Sequence, residues 1–241
     1  MPISCFPKYT QTSRLSKSTL MFLLGIGSFV LLPLSSNAQQ YKLPWLDSIG
    51  PSESVSSIQT LATCADVKVS DGLRYSTETV FHDPQRAVFK RRYSDRIVTQ
   101  GLEGRYVWSN SGDGESELST DMGDFILGHQ FHAQILFYDR LHQGLSKPES
   151  TSFQGSSAFV VKSDSGQTSF YYNESGPLGL QIQRLPSDPV THPIVFTFED
   201  WRNVEDFRLP FRVLIDDGER EFTYSFSAIV FNERSVDEYR R

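Results

Sequence analysis

The most constraining feature of this chain is a long succession of segments in which apolar and polar residues alternate, beginning after Gly72. A period of two places successive side chains on opposite faces of a strand, so each segment predicts a β-strand. Short runs rich in Gly, Asp and Ser separate the segments, as turns between antiparallel neighbours require. The predicted strands span residues 73–81, 87–93, 96–99, 105–109, 157–162, 168–172, 180–185, 195–201, 208–215 and 221–230, with turns that include 101–104 and 176–179.

Two other segments follow a helical period. Residues 52–65 and residues 121–143 repeat apolar side chains at three- and four-residue spacing, which predicts two helices that each pack one face on a sheet. Gly128 lies inside the second helix, where glycine costs about 1 kcal/mol relative to alanine, so a break there is possible. The stretches 110–119 and 145–153 are predicted to be loops. This layout predicts an α+β, mainly β fold: a large curved antiparallel sheet with a few helices covering one face.

The start of the chain has the pattern of a secretory signal peptide. Its basic residues, Lys8, Arg14 and Lys17, precede an apolar run over residues 20–34. Small residues at positions 36 and 38 then predict cleavage after Ala38. The alternative is a permanent anchor, but a membrane-spanning helix needs roughly 20 apolar residues and this run is shorter. We therefore expect a periplasmic protein without a membrane span after processing.

These patterns divide the chain into four parts. They are a signal peptide (1–38), an N-terminal lead-in and helix (39–71), a main domain (72–235) that includes the preceding helix in one folding unit, and a polar tail (236–241).

Charge and cysteine content exclude several classes of protein. The chain has 23 basic and 29 acidic residues, and the predicted signal peptide holds three of the basic ones and no acid, so the remainder is more acidic than the net charge of −6. Nucleic-acid binding requires clustered basic residues, so no nucleic-acid partner is expected. Cys64 is the only cysteine after Ala38, which excludes an internal disulfide framework and predicts a buried, inert thiol.

The segments that mark turns and strand ends resemble the outer-membrane lipoprotein-sorting group, the LolA/LolB-like proteins. Residues 101–108 are similar to the group's short strand ending in G-x-x-x-W, and residues 170–182 to its strand, turn and returning strand. Residues 198–210 are similar to its F-x-D-[aromatic]-R-x-V-x-G-[apolar]-x-L-P run, with Asp206 at the position of the glycine. The last strand ends at Asn232, as the group's last strand ends near an asparagine.

The resemblance covers roughly residues 72–235. It implies an incomplete β-barrel wrapped around a helical lid, with an apolar cavity for acyl chains. The implied partner is a hydrophobic small molecule, a lipid or a lipoprotein, and no cofactor is expected. A cavity of this kind needs apolar walls, so large aromatic side chains are the candidates for its lining, although for each one taken singly an ordinary core position is the favoured alternative. The candidates are Trp108, Phe125, Phe131, Phe137, Tyr171 and Phe198.

His129 and His132 form the one histidine pair with the spacing of metal ligands. Residues at i and i+3 share a helix face, so both imidazoles could bind one metal. No glutamate follows His129 as a metalloprotease helix requires, and no second ligand cluster lies downstream. We therefore expect no metal site, and imidazoles that donate hydrogen bonds between helix and sheet are the favoured interpretation.

Three functions stay open at this point. The first is a lipid-binding or carrier-like protein without catalysis. The second is a module that binds or senses an envelope protein, which would require a filled barrel and an exposed apolar patch. The third is a metal-dependent hydrolase, which would require His129 and His132 to face a cavity together with an acid. The first is favoured over the hydrolase, since no nucleophile or phosphate-binding motif accompanies the two histidines.

Overall fold

The computed structural model of the chain describes residues 43–112, 114–119, 121–142, 144–183 and 192–239. The predicted signal peptide, residues 1–38, lies outside the described residues. Among the helices that are described, none has the length and apolar character needed to cross a membrane.

The described strands form one antiparallel sheet in which the first and the last strand meet at the centre. The strands are β1 (Leu61–Val69), β2 (Arg74–Asp83), β3 (Arg86–Arg92), β4 (Ile97–Glu103), β5 (Tyr106–Asn110), β6 (Glu115–Glu117), β7 (Glu149–Phe153), β8 (Ser156–Lys162), β9 (Thr168–Asn173), β10 (Gly176–Ile182), β11 (Ile194–Val204), β12 (Phe207–Asp216) and β13 (Glu221–Phe231). Their order is β6-β5-β4-β3-β2-β1-β13-β12-β11-β10-β9-β8-β7. Within the described residues β6 and β7 do not pair, so the barrel is incomplete, and the predicted fold class is confirmed.

Four short helices and two 3-10 turns accompany the described part of the sheet. They are α1 (Leu46–Ile49), α2 (Asp121–Gly128), α3 (Phe131–Leu136), α4 (Tyr138–Leu141) and the 3-10 turns Ser54–Ser57 and Val236–Tyr239. We refer to α2, α3 and α4 together as the lid, and to the face of the sheet that they cover as the concave face.

The predicted single helix over residues 121–143 is wrong in its continuity. The backbone leaves the helical region at Gln130 (φ −89°, ψ 60°) and again at Phe137 (φ −130°, ψ 30°), which separates three helices. A straight helix of this length would extend roughly 34 Å, so it could touch a curved sheet along only one stripe. Short helices change direction with the sheet, and all six residues of α3 are buried as a result.

The predicted helix over residues 52–65 is also wrong. Only the 3-10 turn Ser54–Ser57 is helical, and β1 begins at Leu61. Residues 61–65 are buried on both faces of the sheet, so the alternation that marks a half-exposed strand is missing there. A fully buried strand and a buried helix segment cannot be distinguished by apolar periodicity alone.

Two predicted turns and two predicted loops contain strands. β4 continues through 101–103 and turns at Gly104, whose φ is +62°, and β10 already begins at Gly176. A Cβ atom at Gly101 would overlap the indole of Trp108, so this glycine serves close packing within a strand rather than a turn. The predicted loops hold the two edge strands, β6 and β7, which are short and largely exposed.

Two rows of side chains in cross-strand register cover both faces of β1 to β5. The row on the concave face consists of Leu61, Phe81, Ala87, Leu102 and Val107. The row on the opposite, convex face consists of Ala62, Val80, Val88, Gly101 and Trp108. The segment predicted as a polar tail begins on that convex row, where Val236 is buried and Asp237 pairs with Arg86.

Candidate ligand-binding site

The concave face carries the main apolar core, and the lid supplies much of it. Ile126, Ala133 and Ile135 of the lid are completely buried. Phe131 and Phe137 are each 2% exposed, and the Phe137 ring stacks on Phe81 of the sheet with 5.6 Å between centroids. In the described structure, the lid side chains therefore occupy the space between the helices and the sheet.

One end of this interior is closed by the segment around α1, which we call the floor. Trp45 is 1% exposed, and its ring lies edge-on to Tyr138 at 5.8 Å. The indole Nε1 donates a hydrogen bond to the carbonyl oxygen of Ile135 at 2.8 Å. The floor is thus joined directly to the lid.

A few side-chain hydrogen bonds attach the lid to the sheet. Gln130 Nε2 donates to the carbonyl oxygen of Val88 at 3.0 Å, and the Tyr138 hydroxyl donates to that of Thr168 at 3.2 Å. In the described structure neither α3 nor α4 has a side-chain hydrogen bond at its N-cap. Isolated helices of this length are unstable in water, so the lid depends on its apolar contacts with the sheet.

The two candidate metal ligands bind different partners. His129 Nδ1 donates to the carbonyl oxygen of Phe125 at 2.8 Å, and His132 Nε2 donates to that of Pro210 at 2.8 Å. Burial lowers the pKa of each imidazole to about 4, so both rings are neutral near pH 7. Among the described residues, no three His, Cys, Asp or Glu side chains lie close enough together to hold a metal ion.

Four of the six aromatic candidates lie on the concave side and two do not. Phe125, Phe131, Phe137 and Phe198 contact the main core. Trp108 belongs to the separate cluster on the convex face, beside Val80 and Val88. Tyr171 lies between Phe170 and Tyr172, which both belong to the main core, so it points to the convex face, where its ring stacks on Phe153.

At the end of the sheet opposite the floor, a polar group interrupts the apolar surface. Arg91 projects from the concave face of β3, and its guanidinium carbon lies 5.3 Å from the ring centroid of Phe89 and 5.6 Å from that of Phe125. Its Nη2 donates to Gln100 Oε1 at 2.7 Å. Nearby, the hydroxyls of Tyr75 and Tyr224 are hydrogen-bonded at 3.3 Å. We call Arg91, Gln100, Tyr75 and Tyr224 the mouth cluster.

Trp45 and the members of the mouth cluster are not among the site residues predicted from the sequence. Arg91 belongs to a basic run, Lys90-Arg91-Arg92, that is typical of an exposed strand rim. In the structure Lys90 lies on the convex side against Glu78, whereas Arg91 faces the lid. The alternation of β3, which buries Ala87 and Phe89 on the concave face, assigns Arg91 to that face and is the signal that could have identified it.

A pocket of about 470 Å³ lies away from the concave interior. It is lined by polar and charged residues of the β2–β3 and β4–β5 turns together with Asp237 of the C-terminal segment. Its lining is unlike the apolar wall that an acyl chain requires.

Comparison with solved structures identifies the fold. A LolA superfamily protein from Nitrosomonas europaea superposes with a TM-score of 0.52 at 11% sequence identity, covering 79% of this chain and 97% of that one. A DUF1329 family protein from Desulfovibrio piger gives a TM-score of 0.54 at 10% identity, covering 79% and 92%. A putative outer membrane lipoprotein-sorting protein domain from Vibrio parahaemolyticus gives 0.50 at 9% identity, covering 81% and 95%.

The chain has a LolA-like fold. The resemblance that the sequence predicted is therefore confirmed at the level of the fold. No protein-family model matches the chain, and no curated protein matches it. At these sequence identities the likeness concerns the architecture alone.

Proposed function

We propose that this protein binds the acyl chains of a lipid or lipoprotein on the concave face of its sheet, in the bacterial periplasm and without catalysing a reaction. The observation that supports this most is a continuous apolar surface on the concave face, covered by three short helices. Side-chain hydrogen bonds from Gln130, His132 and Tyr138 attach this lid to the sheet. The similar structures include a lipoprotein-sorting domain, which agrees with such a role.

Ligand binding on this face requires the lid to move or repack. The rings of Phe131 and Phe137 take up the space that an acyl chain would need. Displacing the lid costs free energy, because apolar side chains of the lid and of the sheet become exposed to water. An entering acyl chain offsets part of this cost by covering the sheet in place of the lid. Because α3 and α4 are only six and four residues long, they can rearrange without breaking a long helix.

A non-catalytic role agrees with the chemistry of the two lid histidines. Each imidazole already donates to a main-chain carbonyl, and the pKa of about 4 leaves each ring without a charge near neutral pH. A general base works best with a pKa near the operating pH, so these rings are poor candidates for that role.

A second candidate function is the binding or sensing of an envelope protein. It is favoured by the same filled interior, because a protein-binding module does not need internal space. The large apolar side chains that are well exposed in the described structure, Leu73, Ile97 and Phe159, are few, whereas a docking surface usually presents a contiguous patch.

Titration with the neutral apolar dye N-phenyl-1-naphthylamine tests the proposed site. We expect saturable binding of the dye, displaced by phospholipid, and an affinity change of about fivefold or more in Phe125→Ala, since that ring lies in the lid. Tyr171→Ala is the matched control, because this partly buried aromatic ring lies on the convex face, and its effect should stay below about twofold. Absence of saturable binding, or equal effects of the two variants, would favour the protein-binding module.

A further inference from the structure

Among the described sheet arginines without an acidic partner, Arg91 is half-buried, whereas Arg74, Arg92 and Arg208 are exposed. Arg86, Arg202, Arg212, Arg220 and Arg234 each lie within 4.0 Å of a carboxylate. Arg91 forms no ion pair with any of the described residues. It pairs in register with Thr77 and Val98, which places it on the concave face. Its charge is therefore held beside an apolar core without a counter-charge.

The hydrogen-bonding capacity of this guanidinium is only partly used. Nη2 donates to Gln100, but the buried Nε–H has no hydrogen-bond partner among the described groups. The aromatic rings of Phe89 and Phe125 lie against the guanidinium and offer it no oxygen as a hydrogen-bond acceptor. A buried donor without a partner destabilises the protein, and the cost is larger when the group is charged, so a bound acceptor would be stabilising here.

Two hydroxyls extend the donor set. Tyr75 and Tyr224 flank Val67 in register, and one hydroxyl donates to the other at 3.3 Å, which leaves one O–H proton of the pair free. Burial raises the pKa of both phenols, while the nearby Arg91 charge lowers them, so both keep their protons at neutral pH. Guanidinium and hydroxyl donors on one surface match the oxygens of a carboxylate or phosphate.

Apolar rings connect the mouth cluster to the interior. The His129 ring lies 4.4 Å from the Phe89 centroid and 4.3 Å from the Phe125 centroid, and it is neutral near pH 7. Phe131 follows at 5.9 Å from His129. A molecule with an acidic head beside Arg91 would thus meet an uncharged aromatic surface along its tail.

We propose that Arg91 and the Tyr75–Tyr224 hydroxyl pair bind the oxyanion of an acidic amphiphile, a carboxylate or a phosphate ester, whose acyl chain lies on the concave face. This inference rests on the proposed acyl-chain binding and adds the charge of the headgroup to it.

The test compares an acidic probe with its neutral counterpart. The probes are 11-(dansylamino)undecanoic acid and its methyl ester, titrated into the full chain purified without detergent. Arg91→Gln should weaken binding of the acid by about tenfold, as expected for a lost charge-assisted contact, and binding of the ester by less than about twofold. Arg92→Gln is the matched control, because Arg92 carries the same charge one residue further on and is exposed; it should leave both affinities unchanged.

Two further variants keep the test valid if Arg91→Gln does not fold. Tyr75→Phe and Tyr224→Phe remove only the hydroxyls. Each should weaken binding of the acidic probe by several-fold without weakening binding of the ester. Competition then identifies the source of the anion. Dodecyl phosphate and decanoate should displace the acidic probe, whereas millimolar inorganic phosphate should not, because it lacks a chain.

Each other outcome overturns a defined part of the account. Equal binding of acid and ester by the parent protein, unaffected by Arg91→Gln, leaves acyl-chain binding intact and removes the oxyanion site. If Arg91→Gln weakens binding of the acid and of the ester equally, Arg91 has a purely structural role. Displacement by inorganic phosphate alone makes the cluster a site for small free anions. Failure of the parent protein to bind either probe contradicts the proposed function itself.

Discussion

Trp45 stacks on Phe170 with 3.9 Å between the ring centroids and 14° between the ring planes. Trp45 immediately precedes α1, and Phe170 lies in the middle of β9. Because the same indole donates to Ile135, one side chain connects the floor, the sheet and the lid.

Trp45→Ala should lower the free energy of unfolding by about 3–5 kcal/mol, the usual cost of deleting a buried aromatic side chain. Trp45→Phe should cost less, since a ring still covers Phe170 and only the hydrogen bond to Ile135 is lost. Urea denaturation followed by circular dichroism measures both. A loss below about 1 kcal/mol in Trp45→Ala would show that the floor is not part of the cooperative fold.

Gly101→Ala should destabilise the protein, because the added methyl group would overlap the indole of Trp108 on the convex face. Overpacking of this kind typically costs about 1–3 kcal/mol. In the Trp108→Ala background the same substitution should cost much less, since the indole is gone. A double-mutant cycle measured by denaturation gives the coupling, and additivity within about 0.5 kcal/mol would contradict the contact.

Stability should decrease as the pH falls from 6.5 to 4. The pKa of His132 is lowered by burial from 6.5 to about 4, so in this range the unfolded chain takes up a proton that the folded chain does not. Unfolding is then favoured by about 1.4 kcal/mol per pH unit for such a histidine, and the stabilisation is complete only above the unfolded pKa.

Replacing His132 separates its share of this pH dependence. His132→Gln keeps an N–H donor for Pro210 but does not titrate. The slope of the unfolding free energy against pH between 4 and 6.5 should therefore be smaller in the variant by about 1.4 kcal/mol per pH unit, which is the contribution of one proton. Identical slopes in the parent and variant proteins would show that His132 is exposed to water in the folded state.

Gly128→Ala should slow the movement of the lid. Gly128 ends α2, nothing lies within 4 Å of the position that a Cβ would take, and its φ lies outside the left-handed region. Alanine should therefore stabilise the helix by up to about 1 kcal/mol. Hydrogen exchange of the α2 amides should become slower, together with the association rate of N-phenyl-1-naphthylamine. Faster exchange would contradict the unstrained geometry at this position.

Much of the sheet could be predicted from the sequence because its strands have one half-exposed face or end in recognisable turns. β12 and β13 were located within two residues for this reason, and the short Asp-Asp-Gly turn between them fixed their pairing. β1 was missed because both of its faces are covered, which removes the alternation. The breaks at Gln130 and Phe137 depend on the curvature of the sheet, which no local pattern encodes.

The aromatic candidates for the site lie on both faces of the sheet, for a related reason. Aromatic residues were chosen by type, but Trp108 and Tyr171 lie on the convex face because each follows a residue that points to the concave core. Arg91 was not singled out because the run Lys90-Arg91-Arg92 is typical of an exposed strand rim. In the structure only Lys90 and Arg92 point to the other face. Assigning each residue to a face of its strand before considering its type would have separated the two faces.

The most direct measurement of the central claim is native mass spectrometry of the protein, expressed as the full chain in bacteria and purified from the envelope without detergent. The account predicts a bound mass of several hundred daltons that extracts into organic solvent, and its loss or reduction in Phe125→Ala but not in Tyr171→Ala. A bare protein mass that stays unchanged after incubation with phospholipid vesicles would contradict acyl-chain binding.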